Sequence, residues 1–165
     1  MGAATHKDQH LQREPTIVEL KDEITIKAPL DAVYAALNDP EILIKCIPGC
    51  EELVRLSDTD LEAKVVLKVG PVKARFSGTV TLDTAGAPAA FSLRGQGNGG
   101  AAGHAKGGAD VTLVSDANGD TVLTYVASAE IGGKLASLGS RLIQSTTAKL
   151  ASKFFDAFAE AMTPE

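Results

Sequence analysis

The hydrophobic period of this chain changes once, and that change limits the folds open to it. From Ile17 to Ala129 apolar side chains recur mostly at every second residue; beyond Gly132-Gly133 they fall on one broad helical face as far as Met162. Period two marks strands with one buried face, and a period near 3.6 marks an amphipathic helix. Val18, Leu20, Ile24 and Ile26 alternate with Glu19, Lys21, Glu23 and Lys27, while Asp22 interrupts the apolar row, so a bulge or a later start is expected there. Further strands are predicted over Glu51 to Leu56, Leu61 to Val69, Val72 to Leu82, around Phe91 and Leu93, from Ala101 to Leu113, and from Leu123 to Ala129. Gly70-Pro71 and Asn118-Gly119 supply turns between them.

Two short helices separate the first strand from the rest. Pro29 opens one that runs through Leu37 and ends at Asn38; Asp39 is a suitable N-cap for the next, with Pro40 at its first position and an end at Cys46. Ile47-Pro48-Gly49-Cys50 has the residue order of a type II turn. The last helix is predicted from Lys134 to Met162, with Leu135, Leu142, Ile143, Thr146, Leu150, Phe154 and Ala161 on its apolar face. Strands in succession with segregated helices indicate an α+β domain. The natural arrangement is one curved antiparallel sheet of about seven strands gripping the long helix, which leaves space between the two. A chain of 165 residues supports one core, assigned to residues 16–163; residues 1–15 are polar and aperiodic and are expected to be a disordered leader.

Small residues then bear on what fills that space. Gly95, Gly97, Gly99, Ala101, Gly103, Ala105, Gly107 and Ala109 share the inward parity of the fifth and sixth strands. A core packs to crystal-like density, which such positions cannot supply locally. Either the helix approaches a glycine-bent sheet very closely, or a cavity remains. The cavity reading assigns Leu67, Phe76, Val80, Phe91 and Leu93 to its wall, Ala101 and Ala105 to its small-residue surface, and Leu138, Leu142 and Thr146 to its helical side. Thr146 and Tyr125 are the candidate polar groups, Tyr125 being equally readable as a core aromatic. Ligand sites are usually concave and mostly apolar in this way.

Other features exclude function classes. A formal net charge of −5 argues against a nucleic-acid partner. No apolar run approaches the ~20 residues of a membrane span, and no signal sequence opens the chain, so a cytoplasmic location is expected. Gly95-Gln96-Gly97-Asn98-Gly99-Gly100 satisfies G-x-G-x-x-G, but the sequence after it alternates like a strand, so no helix faces a pyrophosphate. Cys46 and Cys50 are one residue too far apart for C-x-x-C chemistry and read as thiols flanking a turn in preference to a redox pair. His6 and His10, four apart in the leader, lack further ligands, and His104 points outward; no metal, cofactor or catalytic residue is expected. Ile42, Leu43, Ile47 and Pro48 form an apolar cluster that either packs on the sheet or meets a membrane or partner at a cavity mouth.

Asn38-Asp39-Pro40, Cys46-Ile47-Pro48-Gly49-Cys50-Glu51, Val69-Gly70-Pro71, Phe76-Ser77-Gly78 and Leu138-Gly139-Ser140-Arg141-Leu142-Ile143 resemble the CoxG family of carbon monoxide dehydrogenase subunits. The resemblance runs from about Ile17 to Met162. It implies a helix-grip, START-like fold and a non-enzymatic accessory role to a molybdenum hydroxylase, by membrane recruitment or by delivery of a quinone or lipid carried in the cavity. A cyclase or aromatase of the same fold, and a ligand-free maturation module, are the alternatives. Longer members carry a C-terminal extension that reaches the membrane, whereas this sequence stops at Pro164-Glu165. The expectation is therefore transient docking at the inner face of the cell membrane through the Ile42 to Pro48 region.

Overall fold

The computed structural model describes residues 15–163. His6, His10 and the rest of the leader before Pro15 lie outside the described residues. Seven antiparallel strands form one sheet in the order β1-β7-β6-β5-β4-β3-β2. They are β1 (Thr16–Ile26), β2 (Cys50–Arg55), β3 (Asp60–Val69), β4 (Val72–Asp83), β5 (Ala90–Asn98), β6 (His104–Ser115) and β7 (Thr121–Gly132). From β2 to β7 every strand pairs with the next one in sequence, and β1 closes on β7. The helices are α1 (Leu30–Leu37), α2 (Pro40–Cys46) and the long α3 (Ser140–Met162).

Local chemistry explains most boundaries. The Asp39 carboxylate accepts the Glu41 N–H at 3.0 Å and Pro40 occupies the first turn of α2. The turn after α2 closes with the Cys50 N–H donating to the Ile47 carbonyl at 3.2 Å, and Gly49 takes φ +77°, the left-handed value its position requires.

Three sequence expectations are corrected. The β1–β7 ladder runs without a shift from Thr16 opposite Ile131 to Ile26 opposite Thr121. Asp22 therefore makes no bulge; it holds the inward parity opposite Tyr125 and stays exposed, which an edge strand permits. β6 begins at His104, because Gly100 (φ +63°) and Gly103 (φ +124°) turn the chain through a 3-10 segment over Gly100–Ala102. The last helix begins at Ser140: Gly133–Leu138 is a 3-10 turn, and Gly139 at φ +98° separates it from α3. The helical register then runs Ile143, Thr147, Leu150, Phe154, Phe158. Ala161 is exposed, and Phe158 is fully buried in its stead.

The hydrophobic interior divides into two clusters. One gathers Ile26, Val33, Cys46, Phe91, Leu113, Leu123, Tyr125 and Phe158. The other gathers Val18, Val69, Val72, Phe76, Ala102, Leu135 and Ile143. α3 bridges them, with Ile143 in the second and Phe158 in the first.

Candidate functional site

Between the two clusters the inward rows of the sheet lose their bulk. Gly78 pairs with Gly97, Gly97 with Ala105, Gly95 with Gly107, Gly107 with Ala129, and Ala109 with Ala127. The facing stretch of α3 offers Thr146, Thr147 and Leu150, while its large aromatics, Phe154, Phe155 and Phe158, fall further along in the first cluster. Neither layer has side chains long enough to close the gap. The result is a cavity of about 530 Å³. Burial repeats the pattern: the inward residues of β7 are buried at Leu123 and Tyr125 and only half-buried at Ala127, Ala129 and Ile131.

The wall is apolar. Ile47 and Pro48 come from the turn after α2, Ala63, Val65, Leu67 and Val69 from β3, Phe76 and Val80 from β4, Leu93 from β5, and Ile131, Leu135, Ile143 and Leu150 from the other side. Thr79, Gln96 and Lys106 also border it, but they have outward parity on their strands and are exposed. The inward polar side chains are Thr146 and Thr147. Thr147 donates its hydroxyl to the Ile143 carbonyl at 2.7 Å, whereas Thr146 has no hydrogen-bond partner among the described residues. Among the described residues, no charged side chain points inward from the wall.

Of the residues that the sequence suggested, Leu67, Phe76, Val80, Leu93, Ala105 and Thr146 meet around this cavity. The others lie elsewhere. Phe91 packs edge-on to Tyr34 in the first cluster, ring centroids 5.5 Å apart. Tyr125 stacks on Phe155 at 5.1 Å in the first cluster, and burial together with the Asp22 carboxylate pushes its hydroxyl pKa up. Ala101 is exposed on the 3-10 turn that replaces the predicted start of β6. Leu138 and Leu142 pack against the second cluster, because the helix starts later than the period suggested. Leu43 is buried and Ile42 packs on the first cluster, which removes both from the apolar mouth and leaves Ile47 and Pro48 there.

Gly95 and Gly97 lie on β5 and Gly100 opens a 3-10 turn, so G-x-G-x-x-G precedes no helix. Both cysteines are free, and burial raises both thiol pKa values, which keeps them protonated near neutrality. No group of three or more His, Cys, Asp and Glu side chains arranged to hold a metal occurs among the described residues. No described helix is long and apolar enough to cross a membrane.

A curved seven-stranded antiparallel sheet closed over one C-terminal helix, with an apolar hollow between them, defines a helix-grip, START-like domain. Solved structures share it. A conserved protein from Geobacillus kaustophilus superposes with a TM-score of 0.82 at 28% identity, over 88% of this chain and 95% of that one. The ZhuI aromatase/cyclase from Streptomyces sp. R1128 gives 0.64 at 12% identity, over 88% and 93%. A STAR-related lipid transfer protein from Xanthomonas axonopodis gives 0.62 at 22% identity, over 87% and 85%. The last two likenesses, at such identities, establish the fold alone. No curated protein matches the chain. The family model for CoxG, a carbon monoxide dehydrogenase subunit, matches residues 23–163, and the chain belongs to that family.

Proposed function

We propose that this protein is a non-enzymatic carrier that holds a neutral hydrophobic molecule, a quinone or a lipid, in the cavity. In this reading it serves a molybdenum hydroxylase of the carbon monoxide dehydrogenase type, delivering the molecule or bringing the enzyme to the membrane. The observation that carries it is an apolar hollow of about 530 Å³ with no inward charge among the described residues. Closing such a void is what packing normally achieves. The hollow is open to solvent, so without a guest it holds water against apolar walls that offer few hydrogen-bond partners. Water gains little among apolar walls, so an apolar guest is the favoured occupant. Its tail would contribute affinity at about 25 cal/mol per Å² of buried apolar area, less ordering costs. Membership of a family described as a dehydrogenase subunit supports the partner.

The likeness to an aromatase/cyclase motivates a second reading, an enzyme acting inside the same hollow. That chemistry needs an acid or base directed at the guest. Among the described residues the inward wall offers two threonine hydroxyls as its polar side-chain groups, and Tyr125 is stacked on Phe155 outside it.

Solvent extraction of the purified folded protein, after exposure to membrane lipids and quinones, followed by mass spectrometry, tests the proposal. About one quinone or lipid per chain is the expected result. An empty extract would sink the carrier reading and leave an interaction or maturation module.

A further inference from the structure

We propose that two copies of this chain associate through their β2 strands, which pair antiparallel about a two-fold axis at Val54 and join the two sheets into one. The association does not depend on what the cavity holds.

β2 is an edge strand, paired with β3 alone among the described residues. Antiparallel neighbours alternate between hydrogen-bonded and non-hydrogen-bonded pairs. The Leu56 N–H donates to the Asp60 carbonyl at 2.8 Å, so Leu56 and Asp60 form a bonded pair, and so do Val54 with Glu62 and Glu52 with Lys64. The N–H and C=O groups of Leu53 and Arg55 therefore point away from β3. No loop or side chain among the described residues bonds to them. The opposite edge differs: α3 leans on β1, with the Gln144 amide donating to the Glu19 carbonyl at 2.9 Å.

The open edge also carries apolar surface. Val54 is 53% exposed and Leu56 57%, both on the outward parity of β2. Edge strands are ordinarily blunted by lysine, proline, a bulge or an inward charge. Glu52 to Leu56 contains neither Lys nor Pro. Glu52 is paired with Lys64 at 3.3 Å, and the Arg55 guanidinium is folded back on the carbonyls of Asn38, Ser57 and Asp58. The bulge between Cys50 and Glu52 leaves a regular edge from Glu52 onward.

That stretch is complementary to itself when reversed, which favours a second copy over an unrelated strand. The two-fold registers differ in what they set together. One puts Arg55 opposite Arg55 of the second copy, and like charges in that position repel. Another puts Leu53 opposite Leu53 and draws the bulged Glu51 into the ladder. The remaining one pairs Leu53 with Arg55 of the second copy and uses the regular stretch alone. It forms about four hydrogen bonds and sets Val54 against Val54 of the second copy at a non-bonded position, where side chains are closest. Leu56 then faces Glu52 of the second copy, and no like charges stand directly opposite.

So short a joint predicts a weak dimer that forms with concentration. The full chain is sedimented from about 10 μM to about 1 mM, and the mass per particle should climb from one chain toward two. Val54→Lys should fold, as circular dichroism checks, and associate at least about tenfold more weakly, since like charges meeting across an interface cost more than one such factor. Val54→Cys tests the axis itself. Its two copies would have Cα atoms about 4.5 Å apart, so mild oxidation should link the chains, with peptide mapping placing the bridge at position 54 of both. Leu56→Cys is equally exposed, but its two copies would stand about 13 Å apart along the joint and should stay unlinked. The parent, with free Cys46 and Cys50, is the blank. A monomer at every concentration, unchanged association of Val54→Lys, or equal linking of the two cysteine variants would overturn the proposal.

Discussion

Gly97 on β5 stands directly opposite Ala105 on β6, and a Cβ placed on Gly97 comes no nearer to any neighbour than 3.8 Å, at the Ser77 carbonyl oxygen. The adjacent pair differs. A Cβ on Gly107 would collide with the Ser128 carbonyl oxygen and come within 2.7 Å of the Ala129 Cα. Two glycines on one small-residue surface therefore respond to substitution with opposite signs. Gly97→Leu should fold and fill the cavity. It relieves about 0.5–1 kcal/mol of glycine entropy and buries a side chain worth up to ~1.5–3 kcal/mol. Tm should hold or rise by about 2–4 °C per kcal/mol, and ligand retention should be lost. Gly107→Ala should lower Tm through an overpacking cost of about 1–3 kcal/mol. Thermal unfolding of both variants, with ligand content assayed alongside, checks the pair; shifts of the same sign would contradict this packing.

The sequence carried the architecture because alternation survives along nearly every strand: Leu61, Val69, Val72, Phe76 and Leu82 are buried as their parity demands. Parity also located the wall at Leu67, Val80 and Leu93. It failed where glycine ended an extended run. Gly99 to Gly103 looked like continuous alternation but forms a turn, which displaced Ala101; Gly139 broke the helical period expected from Lys134, on which Leu138 was assigned to the helical side of the cavity. Phe91 and Tyr125 share the correct face of the sheet yet lie one pair too far along it, where α3 brings Phe155 and Phe158. Depth along a strand depends on what the opposing helix presents, and no single-strand pattern encodes that. Ala63, Gly78, Ala127 and Ala129 extend the small-residue surface across three further strands, and their inward parity was the available signal.

Thr146 is the inward hydroxyl without a protein partner among the described residues, so its loss should register in binding and hardly in stability. Thr146→Val retains the shape of the side chain. For a carbonyl-bearing guest such as a quinone, affinity should fall about fivefold to tenfold, the worth of one ordinary hydrogen bond at ~1–1.5 kcal/mol. Tm of the ligand-free protein should shift by less than about 2 °C. Titration of a quinone and of an alkane of similar size separates the cases, since the alkane should bind both proteins alike.

Cys46 is buried in the first cluster, and Cys50 is half-buried beside the Pro48-Gly49 turn with its Sγ donating to the Glu52 carbonyl at 3.4 Å. Burial is the larger cause and raises both thiol pKa values, and Lys45 opposes the rise at Cys46. A thiol with a raised folded pKa stabilises the fold below its ordinary value and loses that contribution as pH climbs through the raised one. The thiolate is the nucleophile, so native protein should react slowly with a thiol reagent near neutral pH and faster in alkali. Cys50 should be labelled first and Cys46 only on unfolding, read by peptide mass mapping. Fast stoichiometric labelling of both at neutral pH would show an open turn.

Tyr125 and Asp22 supply the pH-dependent prediction. Burial is the larger cause of the raised hydroxyl pKa of Tyr125, and the facing Asp22 carboxylate adds to it. The neutral phenol is thus favoured in the fold. Its contribution to stability is complete below the ordinary tyrosine value near 10 and is lost as pH rises through the higher folded value. Asp22→Asn removes the smaller cause and leaves burial in place. Tyrosinate absorbance in the native protein should then develop at lower pH than in the parent, though still above the ordinary value, and the alkaline loss of stability should diminish. Tyr125→Phe keeps the stack on Phe155 and removes only the hydroxyl. Ligand retention should be unchanged in both variants, because the ring faces the first cluster and lies off the cavity wall. Release of ligand in step with tyrosinate formation would instead bring Tyr125 into the site and restore the enzyme reading.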